Sequence, residues 1–382
     1  MRIAIATHFY YTNCPSFELK KWLLKEKCKS LLWIAHPLMY HPRLQGRHFE
    51  VFPQPRSGGG FSNRIKRENV LIQYLKDFFL TIIWTFKSGQ KYDIFIGFDN
   101  LNALAGWVLK KLGRTRKCVF YSVDYSPQRF ENKLLNWIYH EIESFCAIHC
   151  DETWNLSERM ISARMTFKGI RTDQCGIQRI APMGVWPDEM PTVAEASVKH
   201  HQLVYMGAIT KKQGIQFVLE AMPKILSSIP DFHFLIIGDG DYLEELKEQA
   251  GQLGIQEQVS FTGYVEDHKV VDRMVAESGL AVALYERGDP VKNFTYYTDP
   301  GKIKVYLGSG VPVLVTDVPH NAKEIEENRC GGIVTTDPAS VAQAVVCLMG
   351  NKDKLTLYRK NALAYSLKFK WDVIFKNLFQ NP

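Results

Sequence analysis

Short runs of β-branched, aliphatic and aromatic residues alternate with amphipathic helical stretches along the whole chain. This alternation is typical of parallel sheets covered by helices, so the predicted fold class is α/β. Helical stretches separate most of the strand candidates in the first half. Those candidates are Arg2–Phe9, Leu31–His36, Phe49–Pro53, Tyr92–Phe98, Lys117–Val123 and Glu152–Leu156.

A segment within residues 186–197 holds two prolines, small residues and no clear period, which is typical of a linker. A second alternation of strands and helices follows it. We therefore expect an N-terminal domain over 1–190, a linker over 191–201, a second domain over 202–365 and a final helix over 366–382 that crosses back to the first domain. The pattern predicts two Rossmann-like domains with a cleft between them.

The charge is divided unevenly along the chain. Residues 1–190 hold 27 Lys and Arg against 17 Asp and Glu, whereas residues 191–382 hold 20 against 23. A basic first half suits an anionic membrane surface, a lipid phosphate or nucleic acid, although solvated lysines on helices would give the same count. Because the basic residues form no aromatic-interleaved groove motif, nucleic acid is not expected as a partner.

No stretch reaches the ~20 apolar residues that span a bilayer, and the N-terminal apolar run is too short for a signal peptide. The eight cysteines show no metal-site spacing and are expected to be reduced thiols. We therefore expect a cytoplasmic protein, with a peripheral place at the inner face of the membrane as an open alternative. The most apolar stretch, residues 71–86, fits either an interfacial helix or a buried crossover helix of the sheet.

The segment 294–314 carries the strongest signal for a ligand site. Asp299 is predicted to cap a helix that begins with Pro300, Lys302 lies in its first turn, and Gly310 ends it. A helix N-terminus beside a lysine suits a pyrophosphate, although helices with such caps occur in any α/β protein.

Two further segments follow strands of the second half. Gly238 opens a glycine turn between a strand and a helix, but the spacing of a nicotinamide-dinucleotide site is absent. Gly207 also ends a strand and is followed by Lys211 and Lys212. These lysines are expected either to neutralise a leaving nucleotide diphosphate or to be solvated in a loop.

The order of Gly207, Lys212-Gln213-Gly214, Ile236–Gly240, Phe261–Val265 and 299–313 resembles the donor domain of GT-B glycosyltransferases of family 4, the group 1 glycosyltransferases. The resemblance covers residues 200–350 well and the first half more loosely. It implies a nucleotide-sugar donor, transfer to a glycan or lipid-linked acceptor with retention of anomeric configuration, and no metal or other cofactor. Catalysis of this kind rests on positioning and on stabilising the departing diphosphate.

The resemblance also implies site residues. Asp124, Lys211 and Lys212 are the implied catalytic residues, and Asp124 stands where many members carry a His-Asp pair. Asn13, Asn100 and Arg129 are candidate contacts to the acceptor. The implied donor-binding residues are Gly207, Gly238, Tyr264, Val265, Tyr297, Asp299, Lys302 and Glu324.

In its second half the chain departs from the family pattern at four positions, and in its first half Val123 replaces the family's histidine and the glycine pair after the first strand is absent. Tyr297 and Val305 stand where the family usually has two glutamates, and Val305 has no acceptor for ribose hydroxyls. Ala208 and Gln213 stand in place of the family's Arg and Lys. Two alternatives therefore stay open: a catalytically inactive GT-B subunit or scaffold in a glycan-assembly complex and, ranked lower, a sugar-nucleotide epimerase of the same architecture.

Overall fold

The protein is represented by a computed structural model that describes residues 1–8, 14–37, 46–53, 56–61, 70–289, 291 and 293–380, with only the backbone described for 56–61 and 70. The chain forms two compact units. Unit 1 comprises Met1–Pro182 with Ile374–Pro382, and unit 2 comprises Met183–Val373. Each unit is a sheet covered by helices, so the predicted α/β class is confirmed.

Unit 1 is built on an eight-stranded sheet in the order β4-β3-β2-β1-β5-β6-β7-β8. The pairs that involve β3 are antiparallel and all others are parallel. Its strands are β1 (Arg2–Thr7), β2 (Ser30–Ala35), β3 (Arg47–Phe52), β4 (Arg56–Phe61), β5 (Tyr92–Phe98), β6 (Thr115–Ser122), β7 (Glu152–Asn155) and β8 (Ile177–Ile180). Its helices are α1 (Pro15–Lys25), α2 (Val70–Lys87), α3 (Asn100–Lys111), α4 (Lys133–His149) and α5 (Glu158–Lys168).

The central strands of unit 1 are buried on both faces, which explains their continuous apolar character in the sequence. Ile3, Ala4, Ile5 and Ala6 of β1 are fully buried. The sequence pattern does not predict the two edge strands. β4 contains three consecutive glycines, and β8 has only four residues, none of which is buried.

Unit 2 is built on a six-stranded parallel sheet in the order β11-β10-β9-β12-β13-β14. Its strands are β9 (Lys199–Met206), β10 (His233–Ile237), β11 (Val259–Phe261), β12 (Ser278–Ala283), β13 (Val313–Val315) and β14 (Gly331–Ile333). Its helices are α6 (Ile215–Ser228), α7 (Leu243–Gln252), α8 (His268–Ala276), α9 (Phe294–Tyr297), α10 (Gly301–Gly308), α11 (Ala322–Glu327), α12 (Pro338–Met349) and α13 (Lys352–Ser366).

Two apolar layers hold the sheet of unit 2. Side chains of α6 and α12 cover one face of the sheet, and those of α8, α10 and α13 cover the other. Leu219 of α6 and Tyr306 of α10 are fully buried in these two layers. Burial of one large apolar side chain contributes about 1.5–3 kcal/mol. Because Tyr306 is buried in one of these layers, the position of α10 on the sheet is fixed. The first turn of α10 directly follows Asp299-Pro300.

The last helix, α14 (Trp371–Gln380), contains the boundary at Ile374 between the two units. Trp371 packs in unit 2, where its backbone amide donates to the carbonyl of Val185 at 3.1 Å. Farther along the helix, Phe375 and Phe379 pack on Trp22 of unit 1, with ring centroids 5.6 and 5.3 Å away. The helix thus has contacts with residues of both units.

Candidate functional site

Three glycines follow three adjacent strands of unit 2. Gly207 follows β9, Gly238 follows β10 and Gly263 lies just beyond β11. The amide of Gly238 donates to the carbonyl of Gly263 at 3.1 Å. Gly207 and Gly238 have φ of +137° and +140°, and a Cβ on Gly238 would overlap the carbonyl oxygen of Gly207. Only glycine fits here, and its backbone lies at the carboxyl edge of the sheet, where open parallel sheets bind ligands.

Lys302 from the first turn of α10 lies against this edge. Its ammonium donates to the Tyr205 hydroxyl at 3.0 Å and to Gln213 Oε1 at 2.7 Å. A Cβ placed on Gly207 would lie 2.9 Å from Lys302 Nζ. The structure therefore brings together Gly207, Gly238 and Lys302 of the predicted donor-binding residues.

The cation of Lys302 has no counter-ion among the residues that the structure describes. The groups around it are the amide oxygen of Gln213 and the hydroxyl and ring of Tyr205, whose centroid lies 4.2 Å away. Burial lowers the pKa of Lys302 to about 7. A partly desolvated ammonium beside an unobstructed glycine backbone is suited to bind a diphosphate. The negative charge of the diphosphate would raise the pKa of Lys302 back toward its ordinary value.

Sequence reasoning missed Tyr205 and Gln213 as parts of this site. Gln213 ends the 3₁₀ turn Lys211–Gln213, and the resemblance places a family lysine at that position. The structure places the Lys302 ammonium on the Gln213 amide, so a cation is present here although residue 213 is neutral. The signal for Tyr205 was its position near the end of β9, two residues before Gly207.

Asp299 does not cap α10, contrary to prediction, because Pro300 is the N-cap residue. Its carboxylate is buried in an ion pair with Lys304 at 2.9 Å and also accepts from the amide of Met183 at 2.9 Å. His320 Nε2 lies 3.1 Å away. Burial alone would raise the pKa of Asp299, but Lys304 and His320 outweigh it and hold the pKa below its usual value. The carboxylate thus holds the loop before α10 in place.

The other implied donor residues lie in varied surroundings. Lys211 and Lys212 are exposed, as is Tyr264, whereas Val265 and Val305 are half-buried. Tyr297 is buried in α9. Glu324 is exposed and accepts from the Tyr365 hydroxyl at 2.7 Å. Direct contacts of these residues with a donor stay predictions.

In unit 1 the candidate acceptor residues surround Tyr139. Asp124, beyond the end of β6, forms an ion pair with Arg129. The Arg129 guanidinium lies 5.8 Å from the Tyr139 ring centroid. Asn100 is buried and donates to the Tyr139 carbonyl at 3.0 Å. Asp124 and Arg129 are the members of this group with partial exposure, so they are the ones available to an acceptor. Asn13 lies outside the described residues.

A buried polar cluster in unit 1 was not predicted. His8, just beyond β1, contacts Asp99 through Nδ1 at 2.7 Å and Asp77 of α2 through Nε2 at 3.2 Å. Asp77 also pairs with Arg47. Asp99 has a φ of 69°, and its other carboxylate oxygen accepts from the first amides of α3. A strained acidic residue held by a histidine at the end of a strand is typical of a functional edge.

The two histidines of this cluster are shifted in opposite directions. Burial alone would lower the pKa of His8, but Asp99 and Asp77 raise it to about 10. Burial lowers the pKa of His36 to about 3 despite the nearby Asp77. His8 is therefore a cation and His36 is neutral near pH 7. Val123 stands where many family members carry a histidine before the aspartate. In this chain, His8 at the end of β1 supplies an imidazolium instead.

Comparison with solved structures defines the class of fold. Anabaena HepE in complex with UDP matches with a TM-score of 0.68 at 13% identity, over 100% of this chain and 99% of that one. Sucrose-phosphate synthase from Thermosynechococcus elongatus matches with a TM-score of 0.71 at 15% identity, over 100% and 98%. Identities this low show the fold alone, and that fold is GT-B, as predicted.

Residues 200–351 match the family described as Glycosyl transferases group 1, which confirms the predicted resemblance over the second half. Phosphatidyl-myo-inositol mannosyltransferase of Mycobacterium leprae is 25% identical over 178 residues, 44% of this chain and 42% of the relative. Alpha-monoglucosyldiacylglycerol synthase of Streptococcus pneumoniae is 30% identical over 131 residues, 34% and 27%. The matched region thus spans less than half of the length of each of these relatives.

Proposed function

We propose that the protein is a glycosyltransferase of the hexosyltransferase type that uses a nucleotide-sugar donor bound by unit 2. The observation that carries this proposal is the ammonium of Lys302, which has no counter-ion in the described part of the chain and lies beside the backbone of Gly207. The match of residues 200–351 to group 1 glycosyltransferases supports it. So does the GT-B fold, which is shared with a solved structure that holds UDP.

The site has to stabilise the negative charge of the departing diphosphate. Breaking the bond between the sugar and the diphosphate leaves negative charge on the departing phosphate, and fixed cations and amides stabilise that charge without reorganising. Lys302 and the first amides of α10 are the groups available, and the exposed Lys211 and Lys212 lie on the turn that contains Gln213. We expect these groups to meet the diphosphate charge without a metal ion, and transfer to retain the anomeric configuration.

Unit 1 is proposed to supply the acceptor contacts. The partly exposed pair of Asp124 and Arg129 offers a carboxylate for a hydroxyl and a guanidinium for a phosphate or carboxylate. The names of two relatives contain the lipids phosphatidyl-myo-inositol and monoglucosyldiacylglycerol, which favours a lipid-linked acceptor over a free glycan.

The first test is thermal unfolding of the full chain with UDP, GDP, CDP, ADP and their common sugar conjugates. A ligand that binds only the folded state at 100 times its Kd stabilises that state by about 2.7 kcal/mol. We expect one nucleotide family to raise the Tm, and the matching sugar conjugate to be consumed with lipid or glycan acceptors. No shift at millimolar concentration with any nucleotide would overturn the proposal. A shift without turnover would favour the inactive GT-B subunit.

A further inference from the structure

Helix α2 of unit 1 buries Trp84 in the core, with Leu80 and Ile82 packed against the same core, but it also buries a row of polar residues and exposes a row of apolar ones. A helix at a protein surface normally turns apolar residues toward the core and polar residues outward. In α2 a polar row follows the helical repeat on the inward side, and every member of it is buried. The buried polar residues are Gln73, Asp77, Thr81 and Thr85 of the helix and Ser88 directly after it.

These inward polar groups hold the helix in one orientation. Arg47 of β3 donates to both Gln73 and Asp77. His36 Nε2 lies 2.7 Å from the Thr81 hydroxyl. Turning the helix to bury its apolar side would strip these groups of their partners and leave them unsatisfied or exposed. The buried hydrogen bonds therefore determine that the apolar side of α2 faces outward.

The outward side of α2 carries an apolar stripe, which we define as Ile72, Leu75, Phe79, Ile83 and Phe86. Each of these side chains is 42–57% exposed. The spacing of three or four residues places them on one face along roughly 21 Å of helix. Contiguous exposed apolar surface of this kind marks a site that is covered by another molecule or by lipid.

The charges beside the stripe are positive. The exposed charged residues of the helix between 71 and 87 are Lys76 and Lys87, and its acidic residue, Asp77, points inward. Arg114 of the neighbouring loop lies over the Phe86 ring at 4.3 Å from its centroid. In the sequence, three cations and one acid shortly precede the helix, namely Arg64, Lys66, Arg67 and Glu68, so this segment is still net positive. Aromatic and aliphatic side chains flanked by cations fit an anionic lipid surface.

A second copy of the chain fits this surface less well. A two-fold contact places the same patch on both partners, so the lysines beside one stripe would face the lysines beside the other. No helix among the described residues is long and apolar enough to cross a membrane. We propose that the apolar stripe of α2 docks unit 1 on the surface of an anionic lipid bilayer. This proposal is independent of the transfer reaction.

The test is co-sedimentation of the full chain with vesicles of phosphatidylcholine alone or with 30% phosphatidylglycerol. We expect binding to the anionic vesicles, weakened at least tenfold between low and high salt because screening removes the charge attraction. The variant Leu75→Gln/Phe79→Gln should bind at least tenfold more weakly at either salt concentration. The variant Lys76→Glu/Lys87→Glu should lose the preference for anionic lipid.

The matched control exchanges two exposed apolar residues of unit 2, Val270→Gln/Leu357→Gln, and should bind vesicles as the original chain does. Chemical unfolding and nucleotide-induced Tm shifts identify any variant that fails to fold. Absence of vesicle binding by the original chain would overturn the proposal, as would equal binding by Leu75→Gln/Phe79→Gln. A dimer in light scattering that this variant converts to monomer would assign the stripe to a second copy and would also overturn it.

Discussion

Lys302 offers the sharpest test of the proposed donor site. Its ammonium is partly desolvated, with a pKa lowered to about 7, and contacts neutral groups only among the described residues. Replacing it by Met keeps the length and removes the charge, whereas Arg keeps a charge at any working pH. Lys302→Met should bind the preferred nucleoside diphosphate more weakly and fold no less stably, because a desolvated cation is lost.

The magnitude follows from one charge-assisted hydrogen bond to phosphate. Such a bond contributes about 1.5–3 kcal/mol, which corresponds to roughly 10- to 150-fold in Kd. The pH dependence has a definite sign. Diphosphate binding favours the charged lysine and takes up a proton above pH 7, so affinity should be highest at or below pH 7. From pH 7 to 9 it should fall by up to about tenfold per pH unit.

Isothermal titration calorimetry of the original chain, Lys302→Met and Lys302→Arg between pH 6 and 9 measures both effects. The ligand's own phosphate titration is common to all three proteins and cancels in the comparison. Proton uptake by the original chain appears as a dependence of the binding enthalpy on the buffer. A pH-independent Kd for the original chain between pH 7 and 9, or equal Kd values for the original chain and Lys302→Met, would refute the reasoning.

Four further outcomes are expected. Gly207→Ala should weaken diphosphate binding at least tenfold, because its methyl group would displace the Lys302 ammonium, whereas Gly254→Ala, whose Cβ meets open space, should not change the Kd. Asp124→Asn should lower the transfer rate at least 100-fold with an unchanged donor Kd, and an unchanged rate would contradict the proposed acceptor contact. The joint contribution of His8 and His36 to the unfolding free energy should be greatest near pH 6.5. It should fall by up to about 1.4 kcal/mol per pH unit below that pH, where the unfolded chain protonates His36 and the folded state does not, and between pH 6.5 and 10, where the folded state keeps the His8 proton that the unfolded chain releases. Because the lowered pKa of Lys302 acts in the opposite direction above pH 7, the two contributions are measured as the difference in urea unfolding between the original chain and His36→Gln on the acid side, and between the original chain and His8→Gln on the alkaline side. Chelation with EDTA should leave the rate of any measured transfer within twofold, and a loss that Mg²⁺ or Mn²⁺ restores would show that a metal is needed.

The local pattern predicts the α/β class and most strands, because buried parallel strands read as apolar runs. Tyr92–Phe98 is predicted with the bounds that β5 has. The pattern fails where a strand is short or rich in glycine. β8 is four residues long and β4 contains three consecutive glycines, so pairing with a neighbouring strand decides their conformation.

The candidate donor site is predicted in part. Gly207 and Gly238 are recognisable because a turn at the end of a parallel strand needs residues that adopt positive φ. Lys302 is recognisable from its place at a helix start. The partners of Lys302 are not, since Tyr205 and Gln213 are about 90 or more residues away in the chain. The capping role expected of Asp299 is wrong because Lys304, one turn into α10, points inward and binds its carboxylate.

Composition and periodicity by themselves determined the fold class, the order of the elements and the turns that only glycine can form. These features depend on local backbone preference and on which side chains avoid water. The tertiary structure alone decided that His8 meets Asp77 and Asp99 and that α2 turns its polar residues inward. Both outcomes depend on hydrogen bonds between residues far apart in sequence, and the period of a helix does not reveal which of its faces is buried.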